Sequence, residues 1–148
     1  MEIPLTILTA NYRTSQGNEL TLFRPCVSAD FRDQAGRVWN LPCIIDTAAP
    51  LSVVPFRLWH QRNLAWSSIS IILMRLGRSS ALLWRGVPCE LGFTEIDLAG
   101  TRSLTAKFVI QPSPPTEVIL GLNFLVDNDI ELVIRSEGGR LSGHLLVS

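Results

Sequence analysis

The sequence predicts an all-β protein, built as a barrel or a sandwich, with one or two short helices. Short apolar runs of strand type recur along the chain, separated by turn residues. Prolines and glycines between these runs leave little room for long helices. The 148 residues are 47% hydrophobic and only 18% charged, which suits one domain with a buried core over residues 1–148.

Taken in chain order, the predicted strands are short and evenly spread, at 3–9, 20–23, 26–31, 38–45, 67–76, 81–84, 87–91, 94–98, 104–110, 118–120, 130–134 and 141–147. Polar residues predict a loop at 11–19 and turns near 33–36 and 77–80, and three prolines predict a loop at 111–117. Helices are expected at 55–64, where a proline occupies the first turn, and at 122–127, which follow a glycine.

The charge balance argues against a nucleic-acid binder. Lys and Arg number 13, and Asp and Glu also number 13, so the formal net charge is zero and no basic face is expected. Without such a face, Trp39, Trp59, Trp66 and Trp84 are better explained by packing than by stacking on bases. We therefore predict no nucleic-acid partner.

The cysteines and histidines suggest neither a disulfide framework nor a metal site. Cys26, Cys43 and Cys89 are widely spaced, and neither His60 nor His144 is near a cysteine in sequence. This sparse, odd set predicts free thiols in a reducing compartment. The N-terminus is acidic and has an early proline, unlike a secretory signal, so the expected location is cytoplasmic.

Residues 41–56 form a strongly apolar stretch that could be mistaken for a membrane span. It is shorter than the roughly 20 residues that a spanning helix needs. Pro42, Pro50 and Pro55 would each break a helix, and Asp46 would place a charge inside it. We reject a membrane span, and the question becomes why a carboxylate stands there.

Asp46 follows an apolar strand and precedes three small residues. An aspartate in this position often only caps or turns the chain. Here, however, apolar residues lie on both sides, and a carboxylate in such surroundings is costly unless it is hydrogen-bonded. This pattern favours an Asp46 that has a chemical role.

A second segment, residues 118–125, reads as a buried strand, a glycine and a short helix. Together, the two segments resemble the retroviral-type (retropepsin-like) aspartic proteases. Residues 44–55, Ile-Ile-Asp-Thr-Ala-Ala-Pro-Leu-Ser-Val-Val-Pro, are similar to the family's hydrophobic-hydrophobic-Asp-Thr/Ser-Gly-Ala stretch. Residues 119–125 are similar to its Ile-Leu-Gly followed by a helix. The resemblance covers about residues 25–135 as the domain core.

The resemblance implies a single-lobed acid-protease barrel that hydrolyses peptide bonds in peptide or protein substrates. Asp46 would be the catalytic residue, and Thr47 would bond across a dimer axis. Ala48 and Ala49 would belong to the active-site loop, with Gly121 and Asn123 supporting it from behind. Because the chain is too short for two lobes and has one motif, the resemblance implies a homodimer that needs no metal or other cofactor.

The region between the two motifs has room for a flap over the substrate. We place its tip at the turn formed by Gly77, Arg78, Ser79 and Ser80. Trp84 would then either touch the substrate or pack beneath the flap. Dimerisation is expected through the terminal strands, at 2–9 and 141–148.

The chain departs from the family at Ala48, where the family has glycine. If φ is negative there, the methyl group costs little, whereas a positive φ would strain it. Two alternatives stay open. One is a catalytically weak or inactive module for dimerisation or peptide binding, and the other is a thiol protease that pairs Cys43 or Cys89 with His144 or His60.

Overall fold

The computed structural model describes residues 1–74, 87–100, 102–112 and 116–148. The proposed flap residues Gly77, Arg78, Ser79, Ser80 and Trp84, and the predicted strand 81–84, lie outside these ranges. The described residues are mostly in strands, with two short helices, which confirms the all-β prediction.

The secondary structure of the described residues begins and ends with strands. In chain order it is β1 (Glu2–Pro4), β2 (Thr6–Arg13), β3 (Glu19–Arg32), β4 (Val38–Asp46), β5 (Ser52–Pro55), α1 (Phe56–Arg62), β6 (Ser67–Met74), β7 (Val87–Leu98), β8 (Leu104–Gln111), β9 (Val118–Gly121), α2 (Leu122–Asp127), β10 (Ile130–Glu137) and β11 (Arg140–Val147).

These strands form two sheets. The larger has the order β2-β3-β4-β9-β5-β8-β7-β6, and an additional pairing of β3 with β7 curls it on itself. The smaller has the order β1-β11-β10. Most neighbours are antiparallel, but β9 runs parallel to β4 and β8 runs parallel to β5. The parallel pair β4–β9 brings the two sequence motifs side by side.

Two long strands replace pairs of predicted short ones. β3 runs through Pro25, which lies opposite Ile7 of β2 and one residue beyond Cys26, where the pairing of β3 with β4 ends. β7 runs through Gly92, where a Cβ atom would lie 2.4 Å from the indole of Trp66. Gly92 therefore makes room for a packed side chain and does not mark a turn.

The bounds predicted for the loop at 11–19 are wrong, because the structure places strand residues at both ends of this range. β2 extends to Arg13 and β3 begins at Glu19, with Tyr12 opposite Leu20. Polar residues are accommodated there because this part of the hairpin is exposed on both faces. The sequence analysis also missed β5, whose four residues are all buried and which therefore lacks the alternation of a half-exposed strand.

The helices differ in how well the sequence predicted them. α2 spans the predicted residues and buries Phe124 and Leu125. α1 is shorter than predicted, because Asn63 adopts a left-handed conformation with φ of 50° and ends the helix. Neither helix is long and apolar enough to cross a membrane.

The buried core draws on both sheets, including the terminal strands. Its members include Ile3, Phe31, Cys43, Phe108, Leu120, Phe124, Leu145 and Val147. Trp39, Trp59 and Trp66 are partly buried and pack against it. The chain ends, predicted to meet a second subunit, pair with each other inside this chain, with Ile3 opposite Leu145.

Candidate active site

Asp46 is the last residue of β4 and lies opposite Gly121, the last residue of β9. It is half-buried, whereas the preceding Ile45 is in the core. The N–H of Ala48 donates to Asp46 Oδ1 at 3.0 Å, and the N–H of Ala49 donates to the Asp46 carbonyl at 3.2 Å. The chain thus turns sharply around the carboxylate, whose Oδ2 accepts no hydrogen bond from the described residues.

The start of α2 holds the loop that follows Asp46. The N–H of Leu122 donates to the carbonyl of Ala49 at 2.8 Å, and the N–H of Asn123 donates to that of Pro50 at 3.2 Å. α2 has no side-chain cap at its N-terminus, so these loop carbonyls satisfy donors that the helix itself leaves free. The loop and the helix therefore stabilise each other.

Ser52 and Asn123 form a second brace behind the loop. Asn123 Oδ1 accepts from both the N–H and the hydroxyl of Ser52, each at 2.8 Å, and Asn123 Nδ2 donates to the Lys107 carbonyl at 3.0 Å. The Ser52 oxygen in turn accepts from the N–H of Gly121 at 2.9 Å. Ser52 is fully buried and Asn123 is half-buried, so the hydrogen bond between Ser52 and Gly121 is the part of this network that is shielded from water.

Sequence reasoning did not single out Ser52 as a site residue. The available signal was a lone hydroxyl between Leu51 and Val53 in an apolar run. A buried polar group of this kind requires partners, and these partners are 69 and 71 residues away. The pattern could therefore indicate a buried hydrogen bond, but the sequence could not identify its partners.

Gly121 is required by close backbone packing. A Cβ atom there would lie 2.6 Å from the Ala49 carbonyl oxygen and 2.8 Å from the carbonyl carbon and oxygen of Leu51. Backbone atoms cannot move aside cheaply, so only glycine allows β9 to press against the loop. Gly121 and Asn123 thus both lie behind the Asp46 loop.

The loop itself is partly open. Thr47 and Ala48 are exposed and Ala49 is half-buried. Ala48 is not among the residues with positive φ, which apart from glycines are Asn63, Ala99 and Asp129. Alanine at this position is therefore free of left-handed strain, and what distinguishes it from glycine is the methyl group beside Asp46.

The cysteines do not favour the thiol-protease alternative. Burial, and then the neighbouring Cys26, raises the pKa of the Cys43 thiol far above its ordinary value, and burial raises the pKa of Cys89. A nucleophilic cysteine needs a thiolate. His60 stacks against Phe56 on α1, and His144 Nε2 lies 3.9 Å from Glu2 Oε1.

No protein-family model matches the chain, and no curated protein matches it. Within the described residues, no three His, Cys, Asp or Glu side chains lie together as a metal site would require.

Proposed function

We propose that this chain is one half of an aspartic endopeptidase of retropepsin-like fold, in which Asp46 from each of two copies forms the catalytic dyad. The observation that supports this proposal most strongly is the way in which the loop after Asp46 is held. The loop after Asp46 is turned by hydrogen bonds to Asp46 itself and locked from behind through Ser52, Gly121 and Asn123. A catalytic carboxylate needs such rigid support, because small displacements of a reacting group slow the reaction strongly.

The dyad works through one shared proton. Two carboxylates a few ångströms apart do not both ionise easily, so they hold one proton between them. The ionised carboxylate takes a proton from a water whose oxygen attacks the scissile carbonyl, while the protonated one donates to the carbonyl oxygen. The tetrahedral intermediate collapses when the carboxyl group that took the proton from water donates it to the peptide nitrogen. One hydroxyl returns its proton to the other carboxylate, the C–N bond breaks and the amine leaves, so the dyad again holds one proton.

The neighbours of Asp46 support this reading. The exposed Thr47 side chain is accessible to a second copy, as bonding across a two-fold axis requires. Asp46 Oδ1 accepts from the Ala48 N–H, and Oδ2, which accepts no hydrogen bond from the described part of the chain, would bind a water or a second carboxylate. A peptide bound in extended form would pass close to Ala48.

A second candidate is a module that keeps the fold but has weak or no activity. The observation that favours it is Ala48, whose exposed methyl group stands where the family has glycine. A peptide backbone that approaches Asp46 closely would contact this methyl group. The two candidates differ in whether Asp46-dependent cleavage occurs.

The test is cleavage of a peptide library by the purified protein and by Asp46→Asn. We expect cleavage that stops in Asp46→Asn, with the unfolding temperature and oligomeric state unchanged. Asp129→Asn is the matched control, since Asp129 is exposed and its φ of 53° suits asparagine equally well. A dimer without cleavage would support the module, and cleavage that survives in Asp46→Asn would contradict the protease.

A further inference from the structure

An open cavity of about 250 Å³ lies where β3 changes its partner strand. The ladder between β3 and β2 ends with Cys26 opposite Thr6, and the ladder between β3 and β7 begins with Ala29 opposite Leu98. β1, which precedes β2, belongs to the smaller sheet. Among the described strands, the ladders on this side of β3 therefore leave out residues 27 and 28, and the cavity lies beside them.

The cavity has a buried floor and a polar rim. Ile3, Cys26 and Val27 line it and are buried, whereas Thr6 and Ser28 line it and are exposed. An apolar cavity of about 150 Å³ is large enough to hold a benzene ring. This cavity therefore has room for a ring and a short polar substituent.

The charge at this cavity comes from carboxylates. Asp30 is half-buried and is the one charged side chain among the described residues that line the cavity. Asn40 Nδ2 donates to Asp30 Oδ1 at 2.7 Å, whereas Oδ2 accepts no hydrogen bond from the described residues. Asp97 lies directly opposite Asp30 on β7, so the two side chains project to the same side. In the part of the chain that the structure describes, neither carboxylate has a cationic partner.

We propose that this cavity binds a small organic cation, a protonated amine on a compact apolar body, with its ammonium group on Asp30. The ammonium group donates to Asp30 Oδ2 and reduces the repulsion between Asp30 and Asp97. The apolar body covers Ile3 and Val27. A metal ion fits this site less well, because hard cations need several oxygen ligands and no three His, Cys, Asp or Glu side chains lie together in the described ranges.

The cavity is separate from the proposed catalytic residue. Asn40, which pairs with Asp30, lies six residues before Asp46 on β4. At about 3.3 Å per residue, the ammonium site lies roughly 20 Å from Asp46. Amine binding at Asp30 would therefore be a property of the chain beyond the proposed cleavage, and its test uses no cleavage assay.

Three probes of similar size test the preference for a cation: benzylammonium, benzyl alcohol and benzoate. Each probe is titrated at constant ionic strength, and binding is followed by the NMR shifts of the Ala99 N–H and the Asn40 side-chain amide. We expect saturable binding of benzylammonium with a Kd of about 1 mM or lower. Benzyl alcohol should bind at least about tenfold more weakly, and benzoate more weakly still. No saturable binding of benzylammonium, or an equal affinity for either other probe, would overturn the proposal.

Two variants separate the contribution of charge from that of space. Asp30→Asn removes the charge, so the Kd of benzylammonium should rise at least about tenfold while that of benzyl alcohol stays the same. Ser28→Leu fills the cavity from an exposed position and should weaken the binding of both probes. Glu137→Gln and Ser136→Leu, at exposed positions on β10, are the matched controls and should bind like the unaltered protein.

Thermal unfolding checks that each variant folds, and Ser28→Leu decides the question if Asp30→Asn does not fold. A benzylammonium Kd in Asp30→Asn equal to that in Glu137→Gln would show that the carboxylate does not hold the amine. A Kd in Ser28→Leu equal to that in Ser136→Leu would show that the amine binds elsewhere. Either result would overturn the proposal.

Discussion

Ser52 and Asn123 lie 71 residues apart in the chain, and one oxygen of Asn123 accepts two hydrogen bonds from Ser52. Through this contact, β5 and α2 are joined directly behind the Asp46 loop. The hydroxyl of Ser52 also accepts from Gly121, so a single buried side chain connects both sequence motifs. The braced loop therefore depends on a residue outside both the Asp-Thr pair and the Ile-Leu-Gly segment.

The first prediction concerns this brace. Ser52→Ala removes the hydroxyl and leaves the Gly121 N–H without its acceptor, so the free energy of unfolding should fall by roughly 1–3 kcal/mol. If the loop is catalytic, kcat/KM should fall further than the lost folded fraction explains. Urea unfolding and peptide cleavage measure the two effects. Ser136→Ala, at an exposed position on β10, should change neither. An unaltered stability in Ser52→Ala would show that the network contributes nothing.

The second prediction concerns Ala48→Gly. The variant removes the methyl group beside Asp46, so we expect kcat/KM to rise by up to about a hundredfold if that group holds the substrate back. The free energy of unfolding should fall by about 0.5–1 kcal/mol. Because φ is not positive at Ala48, glycine relieves no strain there, and it increases the conformational entropy of the unfolded chain. Kinetics on one peptide and thermal unfolding test both. An equal or lower kcat/KM would mean that the site is built around alanine.

The third prediction is the pH dependence of cleavage. If two copies of Asp46 form the proposed dyad, the two carboxylates share one proton and cleavage stops when both are ionised. Cleavage should therefore be fastest at acidic to weakly acidic pH and should decline as pH rises. Initial rates across the pH range, at protein concentrations that keep the dimer intact, measure this. A rate that increases steadily toward alkaline pH would point to a different nucleophile.

The fourth prediction concerns stability in acid, through Asp33 in the β3–β4 turn. Burial by itself raises the pKa of Asp33, but hydrogen bonds from the Trp39 indole and the N–H groups of Arg37 and Ala35 outweigh it and hold the pKa below the ordinary 3.8. Oδ2 accepts from Trp39 at 3.1 Å, and Oδ1 accepts from Arg37 at 2.8 Å and Ala35 at 2.9 Å.

A lowered carboxylate pKa contributes stability that is present above the unfolded value and is lost as pH falls through the folded value. The free energy of unfolding should therefore decrease below about pH 4, and less steeply in Asp33→Asn. Urea unfolding between about pH 5 and pH 2 measures both slopes. Equal slopes in the unaltered protein and in Asp33→Asn would refute the role of Asp33.

The sequence by itself determined the features that depend on local pattern. Strand-type runs between turn residues predicted the all-β class, and the strand-glycine-helix pattern predicted α2 at its observed bounds. Asp46 stands at the end of a strand, as the apolar run before it predicted. These features follow from near neighbours in the chain, because side-chain periodicity and backbone propensity act over a few residues.

Only the tertiary structure decided the features that depend on distant segments. Pro25 and Gly92 predict breaks in the strands but lie inside continuous ones. Pro25 pairs with Ile7 of β2, and Gly92 leaves room for the Trp66 indole. Gly121 is needed because the Ala49 and Leu51 backbone presses against it, and Ser52 matters because Asn123 meets it. Such contacts arise only when the sheet curls and brings residues far apart in the chain within hydrogen-bonding or van der Waals distance, and no local pattern encodes which partners will meet.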